Sequence, residues 1–319
     1  MEAVKRLFLI LIALATCEAE EITFKQPAMV MEKAFPIGNG DLRARVKGRT
    51  GIEPMAILAK GGKRPATAAV PGNAFCGPAW FHFSLNWLAG NAPVSDYKRV
   101  LNLEDGTVVT TFKRGGAGFT WTVFASSADD LIVTHLRTDK PGALNFKVEL
   151  PTEHKGKAHV EDRRILILNG DSGGKRAKPF EARAWVFPME SEVTPGAKEI
   201  TVKGEGEALI LLAAETGAEK IKALPDRLKP LGFGGDEHPD VFQVWKGLLD
   251  RHVAAHRKSM EGAGEGKARL LSRYLKVAIT KPAEGETLPP EPEVPVEPIA
   301  LPELDPEDMV DPDLLPKKE

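Results

Sequence analysis

The chain has 319 residues, 42% of them hydrophobic and 28% charged, which suits a soluble globular protein with one large all-β domain or two ordinary ones. A formal net charge of −2 supplies no basic field for nucleic acid, so that function class is set aside. Two cysteines are too few for a disulfide framework.

The chain opens on a secretory pattern. Lys5 and Arg6 precede the uninterrupted apolar run from Leu7 to Ala15, and Cys17-Glu18-Ala19 sets small residues at a cleavage position. Residues 1–19 are therefore read as a signal peptide, and the protein is expected to be exported, to the periplasm or outside the cell. The run is too short for a stable transmembrane anchor. Leu14-Ala15-Thr16-Cys17 comes near a lipoprotein cleavage site, but Thr16 fits poorly before Cys17, so a lipid anchor there is the less favoured reading. Cleavage after Ala19 leaves Cys76 as the single thiol, read as a small buried hydrophobe.

Most of the middle reads as strands. Phe81 to Leu88 alternates Phe81, Phe83 and Leu85 against His82 and Ser84. Thr107 to Lys113 is rich in β-branched residues, and Phe119 to Phe124 alternates; Gly115-Gly116 between them predicts a hairpin. Further strands are read at Leu131 to Leu136, Phe146 to Leu150, Ile165 to Leu168, Ala182 to Phe187, Ile200 to Val202 and Ala208 to Ala213. Asp105-Gly106, Pro141-Gly142, Asn169-Gly170 and Pro195-Gly196 are read as turns. Ala208 to Ala213 has no alternation, which suits a strand buried on both faces of a layered structure. The predicted fold is mainly β: a large antiparallel β-sandwich, or supersandwich.

From Asp240 to Met260 the period changes. Val241, Val244, Leu248, Leu249 and Val253 share one helical face, with Pro239 before the run and Gly262 after it. Beyond Pro282, prolines alternate with Glu and Asp, a composition that cannot bury enough surface to order itself. The expected organisation is a signal peptide at 1–19, a sandwich at 20–236, a linker helix at 237–262, a short strand or helix extension at 263–281, and an acidic Pro-rich disordered tail at 282–319.

Few residues stand out as chemistry. Asp129-Asp130, Glu161-Asp162 and Asp236-Glu237 are adjacent carboxyl pairs, but neighbours on a strand point to opposite faces, so they read as loop charges. His252 and His256 share a helix face, yet neither a following Glu nor a third ligand accompanies them, so no metal is expected, nor any cofactor. Pro36-Ile37-Gly38-Asn39-Gly40 reads first as a hairpin turn. Trp121 and Trp185 lie in predicted strands and read as core. The carbohydrate-binding candidates are Gly38, Asn39 and Gly40 in that turn, with His82 and Trp87 expected near a surface groove; catalytic candidates and metal ligands are none.

Two stretches, read together, carry a resemblance. The first runs from Phe24-Lys25-Gln26-Pro27-Ala28 through Lys33-Ala34-Phe35-Pro36-Ile37-Gly38-Asn39-Gly40-Asp41-Leu42 to Gly48. The second runs from Val94-Ser95-Asp96-Tyr97-Lys98-Arg99 through Leu101-Asn102-Leu103, Val123-Phe124-Ala125-Ser126 and Ile132-Val133 to Asp139-Lys140-Pro141-Gly142-Ala143-Leu144. In this order they resemble the N-terminal domain of family 95 glycoside hydrolases, the α-L-fucosidase family, over roughly residues 22 to 258. The resemblance implies a large β-sandwich ahead of an (α/α)6 catalytic barrel, with His252 and His256 where the family's linker helix falls. It also implies that the Gly38–Gly40 loop faces the barrel's active site. Ile57-Leu58-Ala59-Lys60-Gly61-Gly62 departs from the family's Asn-Glu-Asp segment, and the residues after Ser259 are too few for the barrel.

The expected function is therefore a non-catalytic carbohydrate-associated module. An α-L-fucosidase-like glycoside hydrolase, alone or with a catalytic domain supplied in trans, and a cell-envelope structural or interaction protein are the alternatives. The expected partners are a glycan and, through the tail, another chain.

Overall fold

The computed structural model describes residues 20–29, 33–40, 42–58, 80–88, 92–152, 155–171, 178–189, 193–233, 239–262 and 267–279. The predicted signal peptide and acidic tail, with Cys17, Cys76 and Asp236-Glu237, lie outside the described residues.

Two antiparallel sheets face each other. The larger contains nine strands in the spatial order β1 (Glu21–Phe24), β6 (Val94–Asn102), β7 (Thr107–Arg114), β8 (Ala117–Ser126), β9 (Leu131–Thr138), β16 (Glu207–Thr216), β13 (Pro179–Pro188), β12 (Ile165–Asp171) and β11 (Gly156–Glu161). The smaller contains seven: β14 (Val193–Pro195), β15 (Glu199–Glu205), β10 (Leu144–Glu149), β5 (Trp80–Trp87), β4 (Ile52–Leu58), β3 (Arg43–Val46) and β2 (Phe35–Gly38). The predicted large antiparallel sandwich is what the chain forms.

The alternation seen in the sequence sorts side chains between the two sheets. Phe119, Trp121 and Val123 of β8 point inward with Phe146 and Val148 of β10, while Thr120 and Thr122 point out. Gly115 and Gly116 adopt φ of 58° and 73°, the double positive φ that a two-residue hairpin turn with the strands' own twist requires. Ala208 to Ala214 is buried at every position, because β16 lies in the middle of the larger sheet and is covered on both sides. Leu212 faces the smaller sheet; Leu211 faces a third layer.

That third layer is helical. A short helix, α1 (Ala218–Ile221), and two 3₁₀ turns (Leu224–Asp226, Lys229–Leu231) precede α2 (Val241–Met260) and α3 (Lys267–Ile279). Leu224, Leu228, Phe233, Trp245 and Leu248 bury against Phe124, Val133, Trp185, Phe187 and Leu211 on the outer face of the nine-stranded sheet. Asp240 caps α2 by accepting from the backbone N–H of Phe242 at 2.9 Å and of Gln243 at 3.3 Å.

Two expectations need correction. Asn169-Gly170 is not a turn: Gly170 sits inside β12, paired with Gly156 and Phe180. A Cβ at Gly170 would collide with the Phe180 ring, so glycine admits the aromatic rather than bending the chain. The stripe that α2 buries is Trp245, Leu248, His252, His256 and Met260, with Val241, Val244, Leu249 and Val253 on its margins. Of the two readings for 263–281, a short strand or a helix extension, residues 267–279 take the helical form, as a separate helix α3. The edge strand β11 escaped the sequence pattern because Lys157, His159 and Glu161 are exposed, a charged edge that discourages pairing with another chain.

Leu211→Ala removes a fully buried side chain between sheet and helical layer. It is expected to lower unfolding free energy by about 2–5 kcal/mol, read from urea denaturation.

Candidate functional site

Three turns and two helices meet at one corner of the sandwich. The first turn joins β2 to β3. Asn39 is 6% exposed; its backbone N–H donates to Leu42 O at 3.1 Å, and its Oδ1 accepts from the Leu42 N–H at 2.8 Å. Its Nδ2 donates to Ser126 O at 3.0 Å, which ties the smaller sheet to the end of β8 in the larger. Gly40 holds φ at 92°, a conformation glycine adopts without strain. The second turn joins β6 to β7 at Asn102–Gly106, and the third joins β8 to β9 at Ser127–Asp130.

Helix α2 fastens to the second and third turns through polar contacts. Nε2 of His256 donates to Leu103 O at 2.9 Å and Nε2 of His252 to Gly106 O at 3.3 Å. A carbonyl only accepts, so each imidazole carries its proton on Nε2. A Cβ at Gly106 would overlap the His256 ring, so that glycine is what lets the helix come down on the turn. Arg257 pairs with Asp105 at 3.0 Å and Arg251 with Asp129 at 2.9 Å. Helix α3 then closes the corner. Tyr274 donates to Pro36 O at 2.7 Å, Nε of Arg273 donates to Ser259 O at 3.0 Å, and a Cβ at Gly38 would run into the carbonyl of Ala278.

Beneath α3 a cavity of about 260 Å³ remains, lined by Gly38, Asn39, Asp130, His252, His256 and Tyr274 among others. Burial holds the imidazole of His252 far below its ordinary value of 6.5, at about 3, and the neighbouring His256 adds to the effect. Burial likewise lowers His256, and raises the Tyr274 phenol. Both histidines are neutral, and Asp130 is the single carboxyl among the described lining residues. An inverting glycosidase needs two carboxyls across the sugar, about 6.5–9.5 Å apart. The described lining supplies one carboxyl of that pair, together with the hydroxyls of Ser127 and Ser259 and the ammonium of Lys258.

The sequence candidates divide. Gly38 and Asn39 line the cavity, and Gly40 completes the turn beside them. Trp87 does not face a groove: it is 4% exposed and packs edge-on against Phe112, Phe119 and Trp121 between the sheets, at 5.4, 5.8 and 6.5 Å. Its place on β5 puts it on the inward face, opposite Phe146 of β10. His82 lies on β5, and its side chain falls outside the described ones, as does that of Trp80. Trp121 and Trp185 are core residues. Asp129 and Asp130 pair with Arg251 and Arg227, and Glu161 pairs with Arg183, so these acids anchor the fold. The nitrogen of each helix histidine that faces a turn is taken by a carbonyl, and no cluster of three metal-binding side chains forms among the described residues. The sequence reading passed over Ser127, took Asp130 as a loop charge and left 263–281 open between a short strand and a helix extension. The spacing of Leu270, Leu271, Tyr274, Leu275 and Ala278 carried the signal for the helix.

The histidine clamp has a pH signature. Folded-state values below 6.5 mean that the unfolded chain binds more protons, so this contribution is whole above 6.5 and is lost as the pH falls toward the folded values. Glu53, fully buried and pushed up to about 7, acts with the opposite sign: its contribution is present below the ordinary carboxyl value and lost as the pH rises through about 7. Comparison with a His252→Gln/His256→Gln variant separates the two. The variant is expected to lose less stability than the parent between about pH 7.5 and about pH 5, measured by urea unfolding.

Residues 79–220 match the model of the N-terminal domain of glycosyl hydrolase family 65. Over 75 residues the chain is 31% identical to α-L-fucosidase 2 of Arabidopsis thaliana, a stretch covering 23% of this chain and 9% of that protein. A solved structure described as a kojibiose phosphorylase from the human microbiome aligns with a TM-score of 0.47 and 11% identity, over 82% of this chain and 42% of its own. A family 92 α-mannosidase from Bacteroides thetaiotaomicron aligns with a TM-score of 0.32 and 8% identity, over 77% and 38%. The chain thus spans less than half the length of each of these relatives. The strands from β5 to β16 are thus similar in sequence to a glycoside hydrolase N-terminal domain.

Proposed function

We propose that this sandwich is a non-catalytic, carbohydrate-associated module of the kind that stands ahead of the catalytic domain in family 95 α-L-fucosidases, and that it acts after export. The observation that carries the reading is the match of residues 79–220, which hold β5 to β16, to a glycoside hydrolase N-terminal domain; β1 to β4 complete the two sheets from outside the matched stretch. The 31% identity to α-L-fucosidase 2 supports the narrower assignment. The order of the Phe24–Gly48 and Val94–Leu144 motifs supports it too. The non-catalytic part rests on chemistry. The adjacent acids Asp129, Asp130 and Glu161 hold arginines, and the corner cavity has one carboxyl where glycoside hydrolysis uses two. The Gly38–Gly40 turn is the proposed point of contact with glycan, since Gly38 and Asn39 line that cavity.

Glycan-array binding by the full chain, with an aryl-fucoside hydrolysis assay on the same preparation, tests this. Binding without turnover is the expected result. Turnover by the chain alone overturns the non-catalytic reading, and silence on the array overturns carbohydrate association.

A further inference from the structure

The formal net charge of −2 is the sum of two unlike parts. Residues 282–319 hold twelve Asp and Glu against two lysines, an excess of ten negative charges. Residues 20–281 hold thirty-nine Lys and Arg against thirty-one Asp and Glu, an excess of eight positive charges. Almost all of that positive excess sits in the last two helices. Together α2 and α3 carry eight Lys and Arg and one acid, Asp250.

Helix stability does not account for the pattern. Arg257 and Lys258 in the last turn of α2 suit the helix dipole, but α3 opens on Lys267 and Arg269 with no acid in its first turn, where the dipole disfavours positive charge. Arg251 and Arg257 pair with Asp129 and Asp105, and Arg273 holds carbonyls at the end of α2. Lys246 and Lys258 of α2 and Arg269 and Lys276 of α3 are exposed. Arg269 and Lys276, seven residues apart, share the face of α3 opposite the buried Tyr274 and Ala278. Phe242, 46% exposed, stands one turn before Lys246.

The polyanion nearest to this face is the chain's own continuation, which leads from Ile279 at the end of α3 into the acidic segment. The 20 residues of α2 span about 30 Å, and an extended proline-rich chain advances about 3.1 Å per residue, so about ten residues suffice to run its length. Tethering sets an effective concentration in the millimolar range, so ion pairs too weak to hold a separate peptide can hold this one. Proline restricts the backbone in advance and lowers the cost of ordering it. Leu288, Val294, Val296 and Ile299 lie among the acids and suit Phe242.

We propose that the exposed face of α2 and α3 is the docking surface of this chain's own acidic segment, residues 282–319, whose carboxylates pair with Lys246, Lys258, Arg269 and Lys276. The contact is electrostatic and independent of the carbohydrate-associated reading.

Zero-length carbodiimide crosslinking of the dilute full chain, mapped by peptide mass spectrometry, tests this. Carboxylates of 282–319 are expected to join Lys246, Lys258 and Lys276 at least about fivefold more often than Lys25, Lys113 and Lys203, which are exposed on the sandwich. The preference should vanish at about 1 M salt, where the screening length is about 3 Å. Crosslinks to Lys246 should also be lost when Lys258→Glu, Arg269→Glu and Lys276→Glu reverse the face. A second variant leaves every described residue in place and replaces the twelve acids of 282–319 by their amides. There an amine-reactive ester is expected to label Lys246, Lys258 and Lys276 faster than in the parent, with Lys25, Lys113 and Lys203 unchanged. Crosslinks spread evenly over sandwich and helices, a preference that survives high salt, or unchanged labelling in the amide variant overturns the docking. In a mixture of isotope-labelled and unlabelled chains, crosslinks that join the two kinds as often as chance predicts overturn the chain's own tail as the occupant and assign the face to a second copy.

Discussion

The strands at the middle of the larger sheet are apolar on both faces, and the rest of the molecule is arranged around that constraint. β8, β9, β16 and β13 send Trp121, Ile132, Leu212 and Ala184 toward the smaller sheet. The same strands send Phe124, Val133, Leu211 and Trp185 the other way. A sandwich of two sheets satisfies only the first set. Leaving the second in water would forfeit roughly 1.5–3 kcal/mol for each large side chain, a sum comparable with the whole stability of a domain. The 3₁₀ turns and α2 are the cover, and the sandwich becomes three layers deep.

The position of the corner site follows from that cover. Trp245 and Leu248 fix the start of α2 over Phe124, and the helix then carries His252 and His256 beyond the strands to the β6–β7 turn. There the helix meets backbone carbonyls rather than side chains, and a turn carbonyl brought under a helix needs a donor. Imidazole supplies one without the desolvation cost of a permanent charge, which is why burial keeps both rings neutral. The charged contacts, Arg251 with Asp129 and Arg257 with Asp105, lie nearer the surface, where exposed ion pairs contribute little. Helix α3 is held in turn by Arg273 on the last carbonyls of α2 and by Tyr274 on β2. The cavity between them is a property of the junction, and no single element contains it.

The walls of the corner cavity are the ends of strands tied to one another by Asn39 and two helices whose registers are fixed by buried side chains. The acids that the sequence set side by side do a different job here. Asp129 and Asp130 sit in one turn yet reach separate arginines, so the chain uses them to pin α2 and the segment before it.

The sequence by itself determined the class of the fold and the inner face of the sandwich. Period-two alternation in Phe119 to Phe124 and Phe146 to Leu150 survives in any sheet, and the unbroken run at Ala208 is explicable only by burial on both sides, so these were legible without coordinates. The Gly115-Gly116 turn and the turn at Gly40 were legible because positive φ is a local demand. Tertiary structure alone decided what lies against what. Gly170 read as a turn because a glycine kept for the approach of Phe180 leaves the same letter in the chain as a glycine kept for a bend. Trp87 read as a surface aromatic although the alternation already set it on the face of Phe81, Phe83 and Leu85, opposite His82; its pairing with Phe146 of β10 puts it between the sheets. His252 and His256 read as a pair on a helix, but their task depends on carbonyls about 150 residues away in the chain. Local pattern specifies periodicity and turns; partners distant in sequence are specified by the sum of the packing, and the cavity exists only there.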